Sequence, residues 1–322
     1  MKLLFSLMAV VATALSLQAV DAQTQPWPTG PVTLVVPFAP GGSTDIAARL
    51  MAQQLTARLG QPVIISNRPG STGVIGNGVV AAAKPDGLTF LFGSGSLAAG
   101  PSLFKTLPFD TARDFAPVSQ LTTISNILVV NPAVPAKSVR EFIQYVKANP
   151  GKVNYGSAGP GSLQHVAGAL FEKQIGGQMV HIPYKGGSLA NTDVIAGRVH
   201  AVFGPIVELL PFVTSGSVRV LGVTSLKASP LLPDVPPIAA EVPGYEISTW
   251  HGMFAPRGTA PAIVNAMNAA VVSVLAEPAL RSRLLELGLE PVGSSPADFS
   301  VFFQSEIKRW KELVHLSGAM PE

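Results

Sequence analysis

Residues 31–45 read Pro31-Val-Thr-Leu-Val-Val-Pro-Phe-Ala-Pro-Gly-Gly-Ser-Thr-Asp45, and the change of pattern inside this stretch decides the fold class. Pro31 to Pro37 is a short apolar run with β-branched residues, which predicts a strand. After the turn, Ile46, Leu50, Leu55 and Leu59 recur at roughly helical spacing. Ser43 or Thr44 is expected to cap that helix and Gly60 to stop it. A strand, a glycine-rich turn and the start of a helix within fifteen residues open one β-α unit.

The same unit recurs outward along the chain. Strands are expected at Val63 to Ser66 and Leu88 to Phe92, with a helix near Val74 to Ala83 between them. Val118 to Val130 reads as one extended run. Ser138-Val-Arg-Glu141 is a capping box opening a helix to about Ala148. Strands then follow at Val153 to Ser157, Met179 to Ile182, Val199 to Phe203 and Val218 to Thr224, alternating with helices at Ser162 to Gln174 and Ser188 to Ala196. Beyond Trp250 to Ala255 the chain turns helical, with segments from Pro261, Pro278 and Pro296. Alternating strands and helices predict α/β architecture with mostly parallel sheets covered by helices. Around ten strands suit two sheets better than one, so two lobes with crossing connections are expected. The division is residues 23–125 for the first lobe, 126–222 for the second, and 223–322 returning to the first and adding C-terminal helices. The chain is expected to cross between lobes near Leu121 to Val130 and Leu221 to Ser225, and to hinge there.

Composition narrows the function. Of 322 residues, 47% are apolar and only 13% charged, against roughly 25% charged in ordinary domains. A net charge of +3 with scattered Lys and Arg argues against nucleic-acid binding. There is no cysteine, which excludes disulfides, thiolate metal sites, Cys nucleophiles and a lipid-modified N-terminal Cys. At the N-terminus Lys2 precedes an uncharged apolar stretch, Leu3 to Leu17, and then Val20-Asp-Ala22 with small residues at the −3 and −1 positions. This reads as a secretory signal peptide, residues 1–22, cleaved to leave Gln23 first. A stretch of fifteen residues falls short of the roughly 20 that span a bilayer. A soluble, untethered protein of the periplasm is expected.

Several chemical signatures fail. Gly76-Asn-Gly-Val-Val-Ala81 matches a dinucleotide fingerprint, but a loop precedes it, and Ser96 stands where an acid should hold the ribose. Small residues for helix packing account for it better. The five histidines have no metal-ligand spacing. No cofactor and no metal are expected. A Ser/His/Asp triad assembled by the fold has no local support.

What remains is a set of Gly/Ser/Thr-rich strand-to-helix loops: Pro37 to Asp45, Gly93 to Ser96, Asn154 to His165, and Pro183 to Ser188. Free N–H groups at a helix start attract an anion, and open α/β sheets place ligands at the carboxyl ends of strands. The implied ligand is a small anion held by neutral donors.

At these loops the sequence resembles the Bug family, the substrate-binding receptors of tripartite tricarboxylate transporters. The matching stretches include Val35 to Arg49, Asn67-Arg-Pro-Gly70, Lys84-Pro-Asp-Gly87, Gly156-Ser-Ala-Gly159, His181-Ile-Pro-Tyr-Lys-Gly186 and Leu232-Pro-Asp-Val-Pro236. The resemblance implies a two-lobed periplasmic binding fold, type II-like, with its ligand in the interlobe cleft. It implies that a small carboxylate is bound and delivered to the membrane components of such a transporter. By analogy the ligand would meet Phe38, Pro40, Gly41, Gly42, Ser43, Thr44 and Asp45 in the first lobe and Ser157, Ala158, Gly159, Gly161, Ser162 and His165 in the second. Ser94, Ser96, Tyr184 and Gly204 to Val207 would meet its variable end, and Lys185 is also expected to contact the ligand. Asp45 is expected to orient its loop, since it repels a carboxylate. Ser71-Thr72 stands where the family more often has Ala-Gly, and Gly204-Pro205 where an Asp is usual. The expected protein is a monomer and not an enzyme. A ligand-presenting partner of a sensor kinase and a secreted hydrolase of carboxylate esters are the alternatives.

Overall fold

A computed structural model describes residues 27–317. The expected signal peptide and its cleavage point lie outside the described residues. The strands, numbered along the chain, are β1 (Val32–Val36), β2 (Val63–Asn67), β3 (Thr89–Ser94), β4 (Phe115–Ile124), β5 (Asn126–Val130), β6 (Val153–Ser157), β7 (Met179–Pro183), β8 (Ala201–Pro205), β9 (Arg219–Val223), β10 (Thr249–Pro256) and β11 (Leu289–Pro291). The helices are α1 (Ser43–Leu59), α2 (Val74–Ala81), α3 (Gly95–Leu103), α4 (Val139–Ala148), α5 (Leu163–Ile175), α6 (Gly187–Ile195), α7 (Ile206–Thr214), α8 (Pro261–Ala276), α9 (Pro278–Glu286) and α10 (Pro296–Ser317).

Two sheets form. One has the order β11-β4-β10-β3-β1-β2 and the other β7-β6-β8-β5-β9. The β-α-β units give the parallel pairs expected of them: β1 with β2 and β3, and β6 with β7 and β8. The remaining pairs are antiparallel, β10 with β3 and β4, β11 with β4, and β5 with β8 and β9. The sheets are therefore mixed, not mostly parallel. β5 and β10 arrive from the other lobe, need no βαβ crossover and enter with reversed direction, while β11 adds a short antiparallel edge to β4. The run Val118 to Val130 is likewise two strands. It breaks at Ser125, so β4 joins the first sheet and β5 the second. The chain returns from β9 to β10 through Thr224–Ser248, where Ile247 N–H bonds the Thr224 carbonyl at 3.0 Å.

Both flanks are apolar. Ala48, Met51 and Leu55 of α1 and Met267, Val271 and Val274 of α8 cover one face of the first sheet. A third layer ties the lobes together. Phe254 of the first sheet, Tyr155 and Phe203 of the second, Phe171 of α5, and Phe303 and Trp310 of α10 belong to one buried cluster. Helix α10 packs on both α3 and α5, and Glu306 accepts from the Trp250 indole at 2.7 Å. No single described helix is long and apolar enough to cross a membrane.

Candidate functional site: the interlobe cleft

Strands β1 and β3 of the first sheet and β6, β7 and β8 of the second end at a shared cavity of about 620 Å³. Each runs into its helix through a short loop. The residues that start α1, α2, α3, α5, α6 and α7 consequently line the cavity, among them Ser43, Gly73, Ser96, Ser162, Gly187 and Glu208. Six helix N-termini give the cleft a field that favours negative charge. Among the described residues, Lys185 is the one cation and Glu208 the one carboxylate in its wall.

Gly42, not Ser43 or Thr44, is the N-cap of α1, and no side chain of the loop caps the helix. The cap comes from the other lobe. Ser43 N–H donates to Glu208 Oε1 at 2.9 Å, and Asn191 Nδ2 donates to Glu208 Oε2 at 3.0 Å. Glu208 thus sets a carboxylate of the protein itself on a helix start that otherwise suits an anionic ligand. It is half-buried and has no ion-pair partner among the described residues. Burial pushes its carboxyl above the usual range, while hydrogen bonds from Ser43 and Asn191 act against this.

Asp45 is turned away from the cavity. It accepts from Gly41 N–H at 3.0 Å, Arg49 Nε at 2.9 Å and Asn67 Nδ2 at 2.9 Å. Burial alone would raise its carboxyl. The bonds from Arg49, Gly41 and Asn67 outweigh burial and hold it below the usual range. Its three bonds tie the loop to α1 and to the end of β2.

In the second lobe the loop after β6 uses its own donors. Ala158 N–H bonds Gln164 Oε1 at 2.7 Å, Gly159 N–H bonds Ser157 Oγ at 3.1 Å, and Gly161 N–H bonds His165 Nδ1 at 3.0 Å. Ser162 Oγ caps α5 through His165 N–H. Ser157 Oγ also meets His181 Nε2 at 2.5 Å. Ser157 is fully buried and tied into this turn, so the pair anchors a loop and presents no exposed nucleophile. Burial and the nearby His165 push His181 down to about 4.

At the first-lobe end, Ser94 caps α3, and the Ser94 and Ser96 hydroxyls lie 3.1 Å apart. His251, on β10 opposite Ser94, is fully buried in the cleft floor. Its Nδ1 is 3.0 Å from Thr122 Oγ1, its Nε2 has no partner, and burial pushes it down to about 3.

Of the residues singled out from the sequence, Phe38, Gly42, Ser43, Thr44, Ser94, Ser96, Ala158, Gly159, Ser162, Tyr184 and Lys185 line the cavity together. Pro40, Gly41, Asp45, Ser157, Gly161, His165 and Gly204 are not part of that wall, though Gly41, Asp45, Gly161 and His165 are bonded within the loops that form it. Glu208, Gln164, Thr249 and His251 line it without having been singled out. One signal pointed to Glu208: an acid inside Ile206-Val-Glu-Leu-Leu-Pro-Phe212 needs a donor somewhere in the fold.

A family model described as "Tripartite tricarboxylate transporter family receptor" matches residues 47–318. The chain belongs to this receptor family. Protein BugT of Bordetella pertussis is 36% identical over 312 residues, 96% of this chain and 95% of that protein. A structure titled as an R. palustris protein with adipate superposes with a TM-score of 0.89 at 38% identity, covering 92% of this chain and all of that one. MatC of Rhodopseudomonas palustris with bound malate gives 0.84 at 34% identity, covering 89% of this chain and all of that one. The receptor therefore shares its two-lobed binding fold with proteins solved holding dicarboxylates. Among its described residues no group of three His, Asp or Glu is placed to hold a metal.

Proposed function

We propose that the protein is a periplasmic solute receptor. It closes two lobes on a small carboxylic acid and hands it to the membrane components of a tripartite tricarboxylate transporter. The observation that carries this reading is the cleft itself: about 620 Å³, of metabolite size, walled by both lobes and faced by six helix N-termini. The N–H group of Thr44, which lines the cavity in the first turn of α1, is among those that find no acceptor among the described residues. It is a donor for such a ligand. The relatives solved with adipate and malate support the chemistry, and the N-terminal apolar stretch supports export. The test is a thermal-shift screen of mono-, di- and tricarboxylic acids, with calorimetry on the hits. A ligand at 100 times its Kd should add about 2.7 kcal/mol and raise Tm by about 4 °C. If no carboxylic acid shifts Tm, or if a bound ester is turned over, the receptor reading is wrong.

A further inference from the structure

We propose that the cleft takes up one proton with each carboxylate it binds, and that Glu208 carries this proton, as a carboxylic acid whose O–H donates to the ligand's carboxylate. This rests on the receptor reading above and adds a ligand-contacting residue to that cleft.

The geometry at the start of α1 carries it. Thr44 N–H is open to a ligand carboxylate, and the N–H just before it, on Ser43, is filled by Glu208 Oε1 at 2.9 Å. Consecutive N–H groups in the first turn of a helix point the same way and lie roughly 3 Å apart. A carboxylate seated on Thr44 N–H therefore rests against the carboxyl of Glu208. Two carboxylates sharing one site do not both stay ionised; one takes a proton and bonds the other. Glu208 is built to stay in its seat. Asn191 Nδ2 holds Oε2 at 3.0 Å. Glycines flank the carboxyl on both sides: a Cβ at Gly42 would lie 3.6 Å from Oε1, and one at Gly187 3.0 Å from Oε2. No cation neutralises it, for Glu208 forms no ion pair among the described residues. The other ionisable groups nearby are engaged or set apart. On α1, Asp45 is paired with Arg49. On α6, Asp193 is tied to Arg198 and the Tyr184 hydroxyl. β5, β8 and the Leu287-Gly288 turn against Ile206 carry no charge. Lys185 and His251 stand elsewhere in the cavity wall. Burial, which raises the carboxyl of Glu208 against the bonds from Ser43 and Asn191, acts in the same direction as an arriving anion.

The experiment is calorimetry with adipate, malate and benzoate at about pH 7.5 and about pH 8.5. Each titration is run in two buffers of different ionisation enthalpy, so that the difference in heat counts protons. The wild-type protein should take up about one proton per bound acid, and its affinity should fall about tenfold between the two pH values. Glu208→Gln presents an N–H donor where the protonated acid presents its O–H. It should bind without proton uptake, lose the pH dependence, and hold the acid more tightly than wild type at about pH 8.5. A gain is not produced by misfolding. Wild-type binding without proton uptake would mean that Glu208 leaves its seat as an anion; the inference is then overturned and the receptor reading stands. Uptake that persists in Glu208→Gln puts the proton on another group and overturns it as well. If none of the three acids binds, the inference and the carboxylate reading of the cleft fall together.

Discussion

Gly76 and Gly78 sit two residues apart in α2, yet the structure gives them opposite demands. A Cβ at Gly76 would come within 2.7 Å of Pro37 Cα and 2.9 Å of the Arg68 carbonyl, both backbone atoms. A Cβ at Gly78 would meet only the Pro108 and Phe109 side chains at 3.7 and 3.8 Å. Gly76→Ala should cost about 1–3 kcal/mol through overpacking, and it should also weaken ligand binding, because Pro37 leads into the loop at α1. Gly78→Ala should be neutral or stabilise by roughly 0.5–1 kcal/mol, since glycine is a poor helix former. Urea titration of both variants checks this; equal effects would refute it. These contacts also settle why the segment imitates a nucleotide fingerprint: its first glycine lets a helix lie against β1. His251 supplies a pH prediction. Its native form is neutral, held down to about 3 by burial, whereas unfolded His titrates near 6.5. Between those values the unfolded chain binds a proton that the native one does not. The stability due to this group is complete above about pH 6.5 and is lost as pH falls toward 3. His251→Gln should flatten the stability curve between about pH 6.5 and pH 4, measured by urea midpoint. An unchanged slope would show that other groups govern acid unfolding.

At the scale of elements, the start of α1 is built from pieces far apart in sequence. Asp45 gathers Gly41, Arg49 and Asn67, and Asn67 also donates to the Phe38 carbonyl at 3.1 Å. Asp45→Ala should cost roughly 2–3 kcal/mol, as charged hydrogen bonds are lost and buried donors orphaned. It should also lower affinity by loosening the donor at Thr44. Denaturation and calorimetry at neutral pH test both effects; undiminished affinity would mean that the loop keeps its shape without Asp45. The β-α unit and this loop were legible because apolar periodicity and glycine turns are local signals. Helix α3 was not: Gly95-Ser-Leu-Ala-Ala-Gly-Pro101 carries glycine, serine and proline, and it is helical because Leu97, Ala98, Ala99 and Leu103 are buried there. Strand β11, three residues long, exists through pairing with β4 and has no signature of its own. The cap on α1 was illegible for the same reason. Its carboxylate comes from Glu208, 165 positions away, and only the meeting of the lobes brings it there.

For the molecule as a whole, the lobes touch across the cleft at polar contacts, while α10 and the chain crossings at Ser125 and Thr224–Ser248 join them behind it. Two of the cleft contacts are hydrogen bonds, Ser43 N–H to Glu208 and Thr72 Oγ1 to the Pro160 carbonyl at 2.8 Å. Thr72 makes its bond from a left-handed backbone, φ 51°, a region costly for a β-branched residue. The family resemblance of the sequence leads one to expect glycine at this position. The departure trades backbone strain for a bond between lobes, and both bonds must break before the cleft opens. Closure about hinges of this kind biases a two-state equilibrium, so removing the bonds should shift the ligand-free protein toward the open form. Thr72→Gly combined with Glu208→Ala is the direct test. Relief of strain at position 72 offsets part of the lost bonding, so Tm should change little. The ligand-free radius of gyration from small-angle scattering should increase over wild type, and saturating ligand should return it to the wild-type liganded value. Superimposable ligand-free curves for variant and wild type would mean that α10 and the shared apolar cluster hold the lobes together, and that these two bonds have no part in setting the resting state.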